Sequence, residues 1–473
     1  MVFSSLEFLC VFLPLVFVLY CIVPSVKGRN ALLIAASLLF YAYGEPVYVF
    51  LMFVNALFNY GIARIIDKRD TGKKAYLVIG IVVNLGMLCV FKYADFLVHT
   101  CNRVFFTRIP LPGIALPIGI SFFTFQALSY VIDVYQKKVD AQKSFWKVLL
   151  YISFFPQLIA GPIVKYRDIN EEIENRKLDA NEVAAGLRRF ICGLGKKVLI
   201  ANAVGAVADQ VFTAPADNVN VIAAWIGAGA YMLQIYYDFS GYSDMAIGMG
   251  QMFGFHFKEN FQYPYGADSI QEFWRRWHIS LSTWFKEYLY IPLGGNRKGR
   301  ARTCINRLIV FFFTGLWHGA SWTFVVWGLW HGMFLLFETY FPVVKKLPRV
   351  ISRIYTLLVV CVGFVMFRAE NLGAGLFRIK QMFTGFSFSA QQVSFVWQLL
   401  TPWFIVMAVL GIIGAAPIRG VAERIRAYAK TDEESEQRKW LQCVLYVLSF
   451  LLLSWCIIRL SGSTYNPFIY FRF

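Results

Sequence analysis

Apolar runs long enough to cross a lipid bilayer recur from one end of this chain to the other. One crossing takes about 20 consecutive, mostly apolar residues in a helix. Of the 473 residues, 58% are hydrophobic and only 16% are charged, too little charge for the surface of a soluble protein of this length. The sequence therefore predicts an all-α polytopic integral membrane protein, folded as a single membrane-embedded domain over residues 1–473.

The charge that the chain does carry is strongly positive, with a formal net charge of +18. Most lysines and arginines stand in short segments between apolar runs, as the positive-inside rule describes for cytoplasmic loops. The same groups favour contact with anionic lipid, and no nucleic-acid-binding motif accompanies them. The nine cysteines are scattered, without a paired Cys or His spacing. We therefore predict neither a disulfide framework nor a metal site.

Placing spans between the basic segments predicts about twelve transmembrane helices, with both termini outside the cytoplasm. The first run, Phe8 to Val23, has no basic residue before it and no cleavage site after it, so we expect a retained span and not a signal peptide. Lys165 to Lys197 and Gly294 to Arg307 are among the segments interpreted as cytoplasmic loops. The polar stretch Ala427 to Trp440 is expected to be another, before the last span.

Three runs do not fit a simple crossing. Phe145 to Val164 has prolines and a glycine in its middle, which predicts a segment that enters the membrane and returns. Gln271 to Gly295 is amphipathic and rich in tryptophan, and it predicts the same. Ile305 to Phe337 is 33 residues long, so we expect two crossings with a bend within Gly315–Ser321.

Three of the five histidines, His278, His318 and His331, lie in apolar, tryptophan-rich surroundings. Charged groups are costly inside a bilayer and therefore indicate function, whereas a neutral imidazole can accept a proton as a general base. His318 and His331 belong to two copies of Gly-Leu-Trp-His-Gly, thirteen residues apart. On one continuous helix they would point about 140° apart and lie about 20 Å apart along the axis, so that they could not share a site.

His318 has the more favourable setting of the two. Gly319 and Ala320 follow it, and such small residues let another backbone or a ligand approach closely. His331 leads into a plain apolar run. We therefore predict that His318 is the general base and that His331 is a packing residue bonded to a neighbouring carbonyl. For His278 the sequence leaves a catalytic and a packing role open.

Two polar segments have either a functional or a structural interpretation. Tyr236 to Gly248 places Asp238, a second aspartate and two serines at the expected end of a span, where they could line a polar cavity or cap a helix. The loop Gly294 to Arg300 could hold phosphate groups through its backbone and through Arg297 and Lys298. It could equally be an ordinary cytoplasmic loop.

Several motifs together closely resemble the membrane-bound O-acyltransferase family. They are FWRRWHISLSTWFKEYLYIPLGGNRKG (Phe273 to Gly299) and, after it, GLWHGASWTFVVWGLWHG (Gly315 to Gly332). LLFYAYGEP, FFPQLIAGPIVKY, DFSGYSDMAIG and the C-terminal PFIYFRF extend the likeness over nearly the whole chain. The match is to the bacterial branch that includes the alginate and peptidoglycan O-acetylation membrane proteins. In that family the histidine of LWHG, here His318, is the catalytic residue, and the histidine of WRRWH, here His278, is the second important one.

The resemblance implies an enzyme that takes an acyl group, typically acetyl from acetyl-coenzyme A, on the cytoplasmic side and delivers it to an extracytoplasmic hydroxyl. It implies a bacterial inner-membrane location, re-entrant segments around a central tunnel, a cell-envelope polysaccharide as acceptor and an extracytoplasmic partner protein. We expect no bound cofactor, since the acyl thioester is a substrate. The core with the catalytic motifs is expected over residues 114–340, and the last span with its aromatic tail over 440–473.

Further residues are assigned to this chemistry as hypotheses. Four cations and a tryptophan are expected to bind the anionic donor, and two residues are expected to line the cavity. The donor-binding residues are Trp274, Arg275, Arg276, Arg297 and Lys298, and the cavity-lining residues are Asp238 and Trp317.

The aromatic C-terminal tail, YNPFIYFRF, has two interpretations. It is either an anchor at the membrane surface or part of the reaction. In the related D-alanylation system, a small separate membrane peptide ends in a similar motif whose tyrosine is assigned as the acyl carrier. By that resemblance Tyr470 would be the hydroxyl that His318 activates, with Phe468, Phe471 and Phe473 holding the tail in the channel mouth.

Two other functions stay open. The nearer one is D-alanyl transfer to teichoic acid from a carrier-protein thioester, which uses the same chemistry. The other is a transporter or flippase in which His318 relays protons, although the sequence has no two matched halves.

Overall fold

The computed structural model describes residues 1–159, 161–416, 436–462 and 468–469, and within these ranges every regular element is a helix. The first α-helices are α1 (Leu13–Ile22), α2 (Val26–Gly44), α3 (Tyr48–Lys68), α4 (Lys73–Leu88), α5 (Ala94–Phe105), α6 (Ile120–Tyr135), α7 (Phe145–Ser153), α8 (Phe155–Leu158) and α9 (Tyr166–Glu174). The middle ones are α10 (Ala180–Gly195), α11 (Asn202–Thr213), α12 (Val221–Met252), α13 (Ile270–Arg276), α14 (Ile279–Phe285), α15 (Gly299–His318) and α16 (Trp322–Tyr340). The last are α17 (Arg349–Arg368), α18 (Leu372–Thr384), α19 (Ala390–Leu399), α20 (Pro402–Ala415) and α21 (Glu436–Ser461).

Short segments of wider or tighter helix adjoin several of these elements. Single 3₁₀ turns are formed by Ala216–Asn218, Pro264–Gly266 and Val344–Lys346, and π-helical turns by Phe8–Phe12, Cys89–Tyr93, Lys196–Ala201 and Lys286–Tyr290. Two of the π-helical turns join α4 to α5 and α10 to α11, giving continuous helices of 33 and 34 residues. A π-helical turn holds an extra residue and so changes the direction in which the following side chains point.

Five helical stretches of the described chain are long and apolar enough to cross a membrane: Tyr48–Lys68, Lys73–Phe105, Ala180–Thr213, Arg349–Arg368 and Trp440–Ser461. A sixth is possible if α19 and α20, which meet at an angle of 63°, form one broken span. Large apolar side chains on the outer helices, such as Val18, Phe50 and Phe450, are exposed, as expected of a surface that faces lipid. The protein is an integral membrane protein, and the number of about twelve crossings stays a prediction.

The assignment of Lys165 to Lys197 to a loop is wrong. Most of that segment is helical, and its last two lysines lie inside the continuous helix Ala180–Thr213. The positive-inside rule considers only basic residues. Here α12 supplies two carboxylates, one buried and one half-buried, that pair with these lysines inside the protein. Lys196 pairs with Asp244 and Lys197 pairs with Asp238, each at 2.6 Å. Both aspartates lie within α12, and their place at the end of a span stays a prediction.

The centre of the fold is built from α6, α7, α8 and α12, most of whose side chains are buried. The segment Phe145 to Val164 is not one helix, because the chain bends at Phe154 between α7 and α8. Non-helical backbone at membrane depth is stable only where protein surrounds it, and residues 148–159 are all buried. That this segment returns to the side from which it came stays a prediction.

The predicted bend within Gly315–Ser321 is confirmed, while the two crossings expected for Ile305 to Phe337 stay a prediction. α15 and α16 are antiparallel, and Gly319–Ser321 connect them. The two helices touch at the level of the backbone. A Cβ atom on Gly315 would lie 2.3 Å from the carbonyl oxygen of Phe324, and one on Gly328 would lie 2.2 Å from that of Phe311. The first glycines of the two Gly-Leu-Trp-His-Gly copies therefore make this close hairpin possible.

Candidate active site

His318 is the last residue of α15, at the tip of this hairpin. It is only 3% exposed, and aromatic rings surround its imidazole. The ring centroids of Trp327 and Phe367 lie 5.0 Å and 5.3 Å from that of His318. Because the helix ends here, the imidazole stands where the backbone turns and not along a packed helix face.

His278 lies at a second break, between α13 and α14. Its backbone is left-handed, with φ of 43°, a conformation that costs a non-glycine residue of the order of 1–3 kcal/mol and is concentrated at functional sites. The side chain is fully buried. The imidazole centroids of His278 and His318 are 6.3 Å apart. The two histidines singled out from the sequence are therefore neighbours in space.

Asn260 determines which nitrogen of His278 carries the proton. Its side-chain oxygen accepts from the backbone N–H of Ser280 at 3.2 Å, so that this atom can only be an acceptor. The same oxygen lies 3.2 Å from Nδ1 of His278, which must therefore donate. Nε2 of the neutral ring is then the basic nitrogen, and no hydrogen-bond partner for it is found in the described chain.

His331 lies on α16 among aromatic rings. Its centroid is 5.2 Å from those of both Trp274 and Trp327, and a Cβ atom on Gly363 would come within 2.9 Å of its Nε2. These close contacts are typical of a packing residue. Neither of its ring nitrogens has a hydrogen-bond partner among the described residues, so the predicted carbonyl bond is not found.

The hairpin also changes the relation between His318 and His331. The predicted separation of about 20 Å holds only for one continuous helix. Since the chain turns at Gly319–Ser321, both imidazoles instead contact the ring of Trp327 from α16. Trp327 lies between them, and its side chain is almost fully buried.

A cavity of about 140 Å³, here called the Lys92 cavity, opens beside His318. His318, Trp317 and Lys92 line it together with Ser121 and, from the C-terminal tail, Phe468. Trp317 therefore lines a cavity, which agrees with the cavity-lining role predicted for it. Most of the remaining lining residues are apolar.

Asp238 is not among the residues that line this cavity. Instead its buried carboxylate holds the C-terminal tail. One oxygen pairs with Lys197 at 2.6 Å, and the other accepts from the backbone N–H of Ile469 at 2.7 Å. The preceding Phe468 is 2% exposed, and its ring centroid lies 4.8 Å from that of Tyr242. The tail therefore turns into the protein beside His318, which a simple surface anchor does not require.

Tyr470, Phe471 and Phe473 lie outside the described residues. Their predicted roles are untested, and the described part of the tail ends at Ile469, one residue before Tyr470.

A second cavity, of about 270 Å³, is here called the Trp274 cavity. Trp274 lines it, and the indole ring centroids of Trp274 and Trp327 are 5.7 Å apart. The indole N–H of Trp274 is buried without a hydrogen-bond partner in the described structure. Lys286 and Arg307 also line this cavity, and no described carboxylate forms an ion pair with either.

The other proposed donor residues are placed differently. Arg275 is exposed, while Arg276 forms an ion pair with Glu272. Neither is among the residues lining the Trp274 cavity. Arg297 and Lys298 are exposed and directly follow Asn296, which does line it.

Three residues of this site were not predicted from the sequence. Asn260 gave no signal, because it lies in a loop without a motif. Lys197 was assigned to a loop. Lys92 does stand out in the sequence, because a lysine inside an apolar run is rare and usually functional. However, it lies far from the histidine motifs in sequence.

Comparison with known proteins identifies the class to which this site belongs. The model of the membrane-bound O-acyltransferase family matches residues 137–372. A probable alginate O-acetylase of Azotobacter vinelandii is 39% identical over 503 residues, covering 100% of both chains. The peptidoglycan O-acetyltransferase of Helicobacter pylori is 37% identical over 421 residues, covering 81% of this chain and 80% of the relative. The teichoic acid D-alanyltransferase of Bacillus subtilis is 27% identical over 274 residues, covering 54% of this chain and 69% of the relative.

The chain therefore belongs to the membrane-bound O-acyltransferase family, and the resemblance stated from its motifs is confirmed. Within the family it is an enzyme of the alginate and peptidoglycan O-acetyltransferase branch.

The hydrogen bond that orients His278 gives a first prediction. Asn260→Ala should lower kcat for acyl transfer by roughly 10- to 100-fold, as the loss of an orienting partner commonly does. The matched control is Ser243→Ala, which removes only the acceptor of the Asn260 amide N–H, 3.1 Å away. It leaves the contact with His278 intact. Turnover near the wild-type value in Asn260→Ala, with equal amounts of protein in the membrane, would show that the orientation of His278 is unimportant.

Proposed function

We propose that this enzyme passes an acetyl group from acetyl-coenzyme A on the cytoplasmic side to a cell-envelope polysaccharide outside, with His318 as the general base. In this proposal the chain lies in the bacterial inner membrane, about twelve helices span it, both termini are extracytoplasmic, and a separate extracytoplasmic protein completes the transfer. The acetyl group and the polysaccharide acceptor are what the names of the alginate and peptidoglycan relatives state for those proteins.

One observation carries the proposal: His318 lines one cavity and is linked to a second through packed aromatic rings. It lines the Lys92 cavity directly, and its ring contacts Trp327, whose ring contacts Trp274 of the second cavity. Such a connection suits an enzyme that joins a donor from one side of a membrane to an acceptor from the other. The apolar and aromatic walls exclude water, which would otherwise hydrolyse the thioester.

The chemistry assigned to His318 follows from its setting. A hydroxyl attacks a thioester readily only when a base removes its proton during attack. His318 takes that proton, the hydroxyl oxygen bonds to the acyl carbon, and the thiolate then leaves with the proton from His318. His278, with Nδ1 bonded to Asn260, presents its basic Nε2 in the same buried cluster.

The donor is assigned to the Trp274 cavity. Coenzyme A carries phosphate groups, which Lys286 and Arg307 can bind because no described carboxylate neutralises them. The amide carbonyls of its pantetheine arm suit the buried indole N–H of Trp274. A third cavity, of about 100 Å³, contains Lys165 and Lys258, but Glu287 and Asp168 already pair with these lysines at 2.9 Å and 2.6 Å.

The acyl carrier is assigned to Tyr470, on the tail that Asp238 holds. Ile469 is fixed by its hydrogen bond to Asp238, and Phe468 lines the cavity of His318. The next residue along the chain is Tyr470. A phenol of pKa about 10 leaves more readily than a sugar hydroxyl, so its ester can pass the acyl group on.

The first test of the function concerns the two histidines. His318→Ala should lower acyl transfer by roughly 10²- to 10⁴-fold, the usual contribution of a general base. His331→Ala, which removes the other copy of the motif, should cost far less. The measurement is thiol release from acetyl-coenzyme A by the full-length protein in proteoliposomes, together with the O-acetyl content of the cell envelope.

The same assay separates the alternatives. Release of thiol from a D-alanyl carrier protein, with none from acetyl-coenzyme A, would replace the proposed donor by D-alanine. A wild-type protein that consumes neither thioester would favour a transporter. Wild-type turnover in His318→Ala would remove the assignment of the base.

The donor cavity makes a separate prediction. Replacing Lys286 and Arg307 by alanine should raise KM for acetyl-coenzyme A by roughly 10- to 100-fold for each cation, because a hydrogen bond to a charged group contributes about 1.5–3 kcal/mol. The change in kcat should be smaller, since these groups bind ground state and transition state alike. The companion variant replaces Arg275 and Arg276. A larger rise in KM in that variant would show that Arg275 and Arg276, and not Lys286 and Arg307, bind the donor.

The C-terminal tail makes a further prediction. With acetyl-coenzyme A and no acceptor, peptide mass spectrometry should find an acetyl group on Tyr470, and Tyr470→Phe should stop acetylation of the polymer. Tyr465→Phe, in the same tail, is the matched control and should acetylate normally. Asp238→Asn should reduce the adduct, because it weakens the ion pair that holds Ile469 in place. Normal acetylation in Tyr470→Phe would leave the tail only an anchoring role.

A further inference from the structure

Lys92 is a lysine inside the apolar helix Lys73–Phe105, in the π-helical turn Cys89–Tyr93. It is half-buried and lines the cavity of His318. Among the described residues that line this cavity, it is the only lysine or arginine. Because a charge at membrane depth is costly, such a residue needs a reason beyond packing.

The structure fixes the position of the ammonium group on two sides. Nζ donates to the carbonyl oxygen of Trp317 at 2.6 Å and to the hydroxyl oxygen of Ser121 at 3.2 Å. Trp317 directly precedes His318, so Lys92 is tied to the backbone that carries the imidazole. An ammonium group has three N–H bonds, and these two contacts use two of them.

Capping the end of α15 is the simpler explanation of Lys92. The last carbonyls of a helix have no partner within it, and the neighbouring Tyr93 serves the same purpose by donating to the carbonyl oxygen of Leu316 at 2.7 Å. Tyr93 caps with a neutral hydroxyl, and it is not among the residues lining the cavity. A cap therefore explains a donor at position 92 but not a cation that faces the cavity.

The proposed reaction needs such a donor. When the acceptor oxygen bonds to the acyl carbon, the carbonyl electron pair moves onto the acyl oxygen and makes it an anion. The neutral Nε2 of His278 can only accept a hydrogen bond, and most of the cavity wall is apolar. Hydrogen-bond donors that are already in place at a developing oxyanion are among the largest contributions to acyl transfer.

We propose that Lys92 is a catalytic residue whose ammonium group donates to the oxyanion of the tetrahedral intermediate formed beside His318. His318 holds the proton of the acceptor hydroxyl while this intermediate exists. On its collapse the C=O bond re-forms, the C–S bond breaks, and the thiolate takes the proton from His318. Lys92 keeps its own protons throughout. This role rests on the proposed function and adds a residue to it.

The test compares Lys92→Gln with Tyr93→Phe in the full-length protein in proteoliposomes, supplied with acetyl-coenzyme A. Lys92→Gln keeps an N–H donor for the carbonyl of Trp317 but removes the charge, while Tyr93→Phe removes the neighbouring cap and leaves the cavity unchanged. We expect kcat for thiol release to fall by roughly 10²- to 10³-fold in Lys92→Gln with little change in KM. In Tyr93→Phe it should stay within about threefold of the wild-type value. The melting temperature in detergent, measured for each variant, reports on folding.

Two results would overturn the proposal. Near wild-type turnover in Lys92→Gln would show that the charge takes no part. An equal loss in Tyr93→Phe would show that Lys92 matters only as a cap of α15. A loss confined to Lys92→Gln, with an unchanged melting temperature, supports it. A wild-type protein that consumes no thioester would contradict the proposed function and, with it, the role of Lys92. If the wild type and Lys92→Gln are both active, only the role of Lys92 is contradicted.

Discussion

A helix that ends inside a membrane protein leaves carbonyl and N–H groups without hydrogen-bond partners, and lipid cannot supply them. This structure depends on the protein groups that serve as those partners. Its chain breaks at Phe154, at His278 and after His318, all three at buried positions. Each break needs polar partners from other segments. At the end of α15 these are the side chains of Lys92 and Tyr93. The break after His318 thus brings a lysine and a tyrosine of another helix to the site.

Buried charges are held in this protein by specific pairing. Lys196 and Lys197 are matched by two carboxylates of α12, and α10 and α12 touch closely enough that a Cβ atom on Gly193 would lie 2.5 Å from the carbonyl oxygen of Gly241. Removing one member of a buried pair leaves the other charge uncompensated, which costs more than the pair contributes. Because Asp238 also accepts from Ile469, the position of the C-terminal tail depends on this pairing.

Four lysines of the described chain lie in π-helical turns. They are Lys92 at the cavity of His318, Lys196 and Lys197 beside the carboxylates of α12, and Lys286 at the Trp274 cavity. An extra residue in a turn interrupts the regular hydrogen bonding of the helix and alters the direction of the side chains. At Lys197 this geometry turns a cation toward the protein interior, where Asp238 pairs with it. Lys92 and Lys286 each line a cavity on which the proposed reaction depends.

The sequence by itself determined the class of the protein, the helical hairpin and the two histidines. Long apolar runs, helix-breaking glycines and a histidine in apolar surroundings are local features, and each has a direct physical consequence. Only the tertiary structure decided the partners of those residues. Asn260 meets His278 across 18 positions, Lys92 reaches Trp317 across 225, and Ile469 bonds to Asp238 across 231. Sequence patterns report on neighbours along the chain, whereas these contacts are selected by the packing of whole helices, which no single segment encodes.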